Sequence, residues 1–136
     1  MARIYRQLPL NSIWEGSGNV MCLDVLRAAA KHPRCREMLA AEIAPALGRD
    51  ARLDRFVARL QDEWSGEATE VRGRSIAQGI ALAVQGALLV RFSPDHVAGA
   101  FCASRLSGDL GFAGGAYGNL PAASDFAAIL DRAGPR

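Results

Sequence analysis

The run that most constrains this chain is residues 50–64, where Leu53, Phe56, Val57, Leu60 and Trp64 recur at threes and fours behind Asp50. That spacing lays all five side chains along one stripe of an α-helix, and an aspartate just ahead of the stripe can cap the helix by accepting from its first free N–H groups. A helix with one apolar stripe must bury it against other elements. The same period continues on both sides. Val20, Leu23 and Leu26 predict a helix from Asn19 to about Lys31, interrupted at His32-Pro33. Pro33 can open a second helix as its first residue, with Met38, Leu39 and Ile43 inward and an end near Gly48, shortened by Pro45. A fourth helix begins near Glu67 and carries Ile76, Ile80, Ala83, Val84, Ala87 and Leu88. Ser93-Pro94-Asp95 reads as a capping serine with proline in the first helical position, opening a fifth helix through Val97, Phe101 and Leu106. Ser124-Asp125 starts a last one through Phe126, Ile129 and Leu130, stopped at Gly134-Pro135. No strand-like alternation appears, so the expected fold class is all-α, a helical bundle.

The stretch Ile76 to Phe92 is apolar enough to test against a membrane span. Its 17 residues cover roughly 26 Å as a helix, short of a hydrocarbon core about 30 Å thick. Gly79, Ala83 and Ala87 form a small-residue stripe on which another helix can pack closely. A central bundle helix is the favoured reading, and it obliges Gln78 and Gln85 to find partners in the bundle or at its surface.

Composition narrows the function classes. The 136 residues carry a formal net charge of +2, too little to assign a polyanion partner. Cys22, Cys35 and Cys102 are odd in number and, like His32 and His96, lack metal-ligand spacing, so neither a disulfide framework nor a metal site is expected, and the chain reads as cytoplasmic. No secretory signal opens it. Gly108, Gly111, Gly114, Gly115 and Gly118 punctuate a stretch holding Phe112 and Tyr117, without the Gly-Lys-Ser/Thr of a phosphate loop, and a surface loop with two aromatic anchors is expected there.

The chemistry-bearing motif is Ile13-Trp14-Glu15-Gly16-Ser17-Gly18-Asn19, directly ahead of the first helical pattern. Gly16 and Gly18 let backbone N–H groups approach a ligand, Ser17 adds a hydroxyl, and a helix start carries roughly half a positive charge, a combination that suits a pyrophosphate. The alternative is that Ser17 or Asn19 simply caps the helix and Glu15 is a solvated charge. Arg52, Arg55 and Arg59 recur at three and four, and with Arg27 they make a candidate basic surface. Asp50, Asp54, Asp62 and Glu63 nearby allow the opposite reading, a self-paired solvated face.

The run from Tyr5-Arg6 through Trp14-Glu15-Gly16-Ser17-Gly18-Asn19 to Leu26-Arg27 resembles the end of an acyl-CoA dehydrogenase, and more narrowly the alkylation-response, AidB-like branch of that family. The resemblance implies that Glu15 is the base that removes the α-proton of an acyl-CoA, and that Ile13, Trp14, Gly16, Ser17, Gly18 and Asn19 belong to the segment that contacts FAD. Trp14 in place of tyrosine and Ser17 in place of threonine are marks of the branch. It implies residues 1–31 as the end of the family's C-terminal bundle and 32–136 as a helical extension. It also implies an upstream partner portion with a β-barrel, a homotetramer, and a duplex-DNA role for Arg27, Arg52, Arg55 and Arg59. A motif so near Met1 leads us to expect a truncated reading frame or an excised C-terminal piece, incomplete as an enzyme and unable to retain FAD alone.

Overall fold

The computed structural model describes residues 2–12, 16–65, 70–107 and 120–134. Among these residues seven α-helices follow one another: α1 (Ala2–Gln7), α2 (Gly18–Lys31), α3 (Arg34–Ile43), α4 (Ala51–Ser65), α5 (Gly73–Phe92), α6 (Asp95–Arg105) and α7 (Phe126–Ala133), with short 3-10 turns at Leu8–Ser12, Ala44–Ala46 and Glu70–Arg72. Among the described residues there is no strand, and the fold is an all-α bundle.

The chain's prolines set where helices break. α2 closes with the His32 N–H on the Ala28 carbonyl at 2.9 Å, and His32, the residue before proline, has left the helical region (φ -128°, ψ 84°). Pro33 stands one place ahead of α3, at its N-cap, rather than inside it. Pro45 has no N–H to donate back along the helix, so α3 stops at Ile43, two residues earlier, and not near Gly48. The chain then turns through Gly48 at φ +80°, and the Gly48 N–H is held by Asp54 at 3.0 Å. Pro94 is likewise the N-cap of α6 and not its first residue, while Ser93 serves as the C-cap of α5.

The stripe on α4 is buried as expected: Leu53 is wholly inaccessible, and Phe56, Val57, Leu60 and Trp64 are buried beside it. They meet α5, which packs against α2, α3, α4 and α6 and is the central helix of the bundle. Its small residues allow the approach. A side chain at Gly79 would place its first carbon 2.7 Å from Leu60 Cδ1, and one at Gly86 would meet Leu106 Cδ1 at 2.9 Å and Leu53 Cδ1 at 3.1 Å. The main core joins Ile43, Leu53, Phe56, Val57 and Leu60 to Ala83, Ala87, Cys102 and Leu106, and a smaller cluster holds Ala29, Trp64 and Ile76. The stretch Glu70–Phe92 is long and apolar enough to cross a membrane by length and composition. In this fold one side of it is covered by other helices, and Gln78 and Gln85 face solvent.

Several apolar positions are not where the sequence placed them. Met38 is exposed, because it lies about 100° around α3 from Leu39. Leu88 stands one residue round from the Ala83/Ala87 stripe and is exposed for the same reason. α7 begins as expected, with the Asp125 carboxylate accepting from the Ala128 N–H at 2.9 Å, but Phe126 and Leu130 are exposed and none of its residues is buried. α5 begins at Gly73 rather than near Glu67. The glycine-punctuated stretch 108–119 lies outside the described residues.

Burial separates the leucine and methionine positions energetically. Leu53→Ala is expected to cost about 3–5 kcal/mol in urea unfolding, and Met38→Ala less than about 0.5 kcal/mol, as for other surface positions. Comparable losses at both sites would contradict the packing described.

Candidate functional site

Ile13, Trp14 and Glu15 lie outside the described residues, so the structure bears on the second half of the motif. Gly16 has φ +109°, a left-handed conformation that favours glycine, and it turns the chain into α2. Ser17 is the N-cap in an extended conformation; its carbonyl accepts the Met21 N–H at 3.2 Å, while its hydroxyl makes no capping bond. Neither Ser17 nor Asn19 therefore caps α2 through its side chain. Asn19 is within the first turn, and its Oδ1 accepts from Arg74 Nε at 2.5 Å.

Arg74, at the start of α5, is the site residue the sequence did not disclose. The contact spans 55 residues and depends on how closely α5 approaches α2. Gly73 makes that approach possible: it is buried, and a side chain there would meet Leu26 Cδ1 at 3.1 Å. The α2 start and Arg74 open on a cavity of about 530 Å³ between α2 and α5, lined also by Met21, Val25 and Ala77. Helix geometry leaves the first N–H groups of α2 without intrahelical acceptors, and no acidic residue occupies its first turn. Free N–H groups, the uncommitted Ser17 hydroxyl and the Arg74 guanidinium form a donor set suited to an anion, and so to the pyrophosphate of a dinucleotide cofactor. Space beside Gly18 is open, with nothing within 4 Å of where a side chain would begin.

The candidate basic surface divides. Arg27 stands on α2 and pairs with Asp24 at 3.0 Å, both side chains largely exposed. Arg59, over the Phe56 ring at 5.3 Å, reaches Glu63 at 4.0 Å. Arg55 is exposed and makes no ion pair among the described residues. Arg52 is held differently. Its Nε donates to Asp50 Oδ1 at 3.0 Å and its Nη2 to Oδ2 at 2.6 Å, while the same carboxylate caps α4 by accepting the Arg52 backbone N–H at 2.8 Å. The Arg52 guanidinium holds the Asp50 carboxyl below the usual carboxylate range, and Asp50 in return raises Arg52. Burial next to this pair pushes the Cys102 thiol up to about 11, so it remains protonated and serves as core. No cluster of histidine, cysteine or acidic residues among those described could hold a metal ion.

The chain is similar to a known protein. Over 102 residues, 75% of the chain, it is 40% identical to the Escherichia coli (strain K12) protein named "Putative acyl-CoA dehydrogenase AidB". Over that stretch the chain is similar to AidB. The aligned stretch is 19% of AidB, so the chain spans about a fifth of the length of that relative. No family model matches the chain.

The Asp50–Arg52 pair predicts a pH signature. Because the folded pKa of Asp50 is depressed, its stabilisation is present above the unfolded value near 3.9 and is lost as pH falls through the folded value. Asp50→Ala should cost about 1–2 kcal/mol at pH 7, and urea titrations should show the gap from the parent narrowing below pH ~4. A gap that stays constant down to pH ~3 would mean that the charge contributes nothing.

Proposed function

We propose that this chain is the C-terminal helical part of an AidB-like flavoprotein and supplies one wall of its FAD site. The observation that carries this reading is the continuity of the Trp14–Asn19 motif with an uncapped α2 start beside Arg74, in a chain 40% identical to AidB over 102 residues. In that role Ser17, the N–H groups of Gly18 and Asn19, and Arg74 hold the pyrophosphate. FAD, when bound, supplies a hydride acceptor. Glu15 would remove the α-proton of an acyl thioester, and the glycines on either side of Ser17 leave that wall without side chains of its own.

The exposed apolar residues of the first two helices fit this assignment. Ile4, Tyr5, Leu8 and Leu10 of α1 and its following turn, with Val20, Met21 and Val25 of α2, are all exposed. In the whole protein they would pack against the remainder of the bundle, residues 1–31 forming its end and 32–136 the extension. A cytoplasmic homotetramer that includes the upstream β-barrel portion completes the proposal.

Duplex DNA as a partner is the second reading. The pairs made by Arg27 and Arg59 are exposed, worth roughly 0–1 kcal/mol, and a phosphate can displace their carboxylates; Arg55 has no carboxylate to displace. Arg52 is committed to Asp50 and is dropped from this surface.

Two measurements check these proposals. In a protein containing this segment and the upstream portion, Glu15→Gln should lower acyl-CoA turnover by ~10² or more with flavin still bound; unchanged turnover would remove Glu15 as the base. In a salt series, Arg27→Ala and the Arg55/Arg59 double alanine variant should each lessen the slope of log affinity against log salt, by roughly 0.9 per arginine, equally for unrelated duplexes. Slopes identical to the parent's would exclude these arginines from phosphate contact.

A further inference from the structure

A cavity of about 410 Å³ lies between α3 and α4, away from the motif, in the size range of small-molecule sites. Much of its wall is the aliphatic side chains of Leu39, Ile43, Leu47, Val57 and Leu60, and Gln61, Trp64 and Ser65 of α4 line it as well. One charged feature stands out. The Trp64 ring lines the cavity, while its indole Nε1 is itself inaccessible and has no hydrogen-bond partner among the described residues. The Arg36 guanidinium lies over the Trp64 ring, 4.9 Å from its centroid, and forms no ion pair among the described residues.

Helical phase decides which charge belongs to the cavity. At about 100° per residue, Arg36 shares its face with Ala40 and Ile43, one and two turns on. Glu37, also in the lining, is displaced by about 100° toward one rim. The interior therefore offers an aliphatic trough ending at a planar cation stacked on an indole. A guanidinium fork matches a carboxylate in shape and charge, whereas a dianionic phosphate would gain no second cation here and would meet Glu37.

We propose that the α3–α4 cavity binds a medium-chain alkyl carboxylate, with its head at Arg36 and its tail along Leu39, Ile43, Leu47 and Val57. This goes beyond the flavoprotein reading and does not depend on it. Arg36, over the Trp64 ring, forms the charged end of the site, and exposed Ala40 lines it.

The test is isothermal calorimetry on the full 136-residue chain with decanoate, decanol and decylamine, each kept below the concentration at which it self-associates. Decanoate is expected to bind saturably, one per chain, and more tightly than decylamine. Arg36→Gln should weaken decanoate by about 10-fold or more, since a charge-assisted contact is lost, while decanol binding stays within about 2-fold. Ala40→Trp, which fills the trough from an exposed position, should abolish binding of all three, with circular dichroism confirming that both variants remain folded. The proposal is overturned by any of four results: no saturable decanoate binding, equal affinity for decylamine, an unaltered decanoate affinity in Arg36→Gln, or full binding in Ala40→Trp. Sedimentation showing a stable dimer that excludes decanoate would also overturn it, by assigning the trough to a second copy of the chain.

Discussion

The bundle rests on the closeness with which α5 is approached by its neighbours. Gly79 and Gly86 sit under Leu60, Leu53 and Leu106, at separations that leave no room for even a methyl group without displacement of those leucines. This lets the α4 stripe, assembled by the Asp50 cap, reach the α5 backbone and closes the core with α6. A glycine costs a helix about 1 kcal/mol relative to alanine. Here that cost is offset by fully buried leucine side chains, each worth about 1.5–3 kcal/mol.

The same device at the other end of α5 builds the candidate site. Gly73 admits Leu26 of α2, and the next residue, Arg74, then reaches Asn19 at the opposite end of α2's motif-bearing turn. Packing between two helices and the presentation of an arginine at a helix start are thus one arrangement. It joins residues far apart in sequence and sets beside the motif a guanidinium that the motif does not itself contain.

Much of this was readable beforehand, for identifiable reasons. The α4 stripe is legible because its five apolar residues keep a strict period against charged neighbours, and the α2 boundary because Pro33 follows it. The turn ahead of α2 is legible because Gly16 takes a left-handed conformation that favours glycine. Arg74 is not legible, since nothing local marks a contact made across 55 positions. Arg52 looked like part of an arginine stripe, but a capping carboxylate two residues away captured it. Met38 and Leu88 were misplaced because one step of helical phase separates a buried leucine position from an exposed one. Gly86 is not legible beside the more regular Gly79, Ala83 and Ala87, although a side chain there would meet Leu106, Leu53 and Phe101.

The central claim is that this AidB-like segment can complete a flavin site when joined to the rest of such a protein. The direct measurement is a chimera in which the matching segment of E. coli AidB is replaced by the corresponding residues of this chain, purified and examined by its visible spectrum against unmodified AidB. The account predicts a folded chimera with flavin in the same ratio per chain as the parent, and loss of that flavin when Gly16 is replaced by a β-branched residue that its φ of +109° excludes. A folded chimera that purifies without flavin, beside a flavin-bearing parent, would contradict the account.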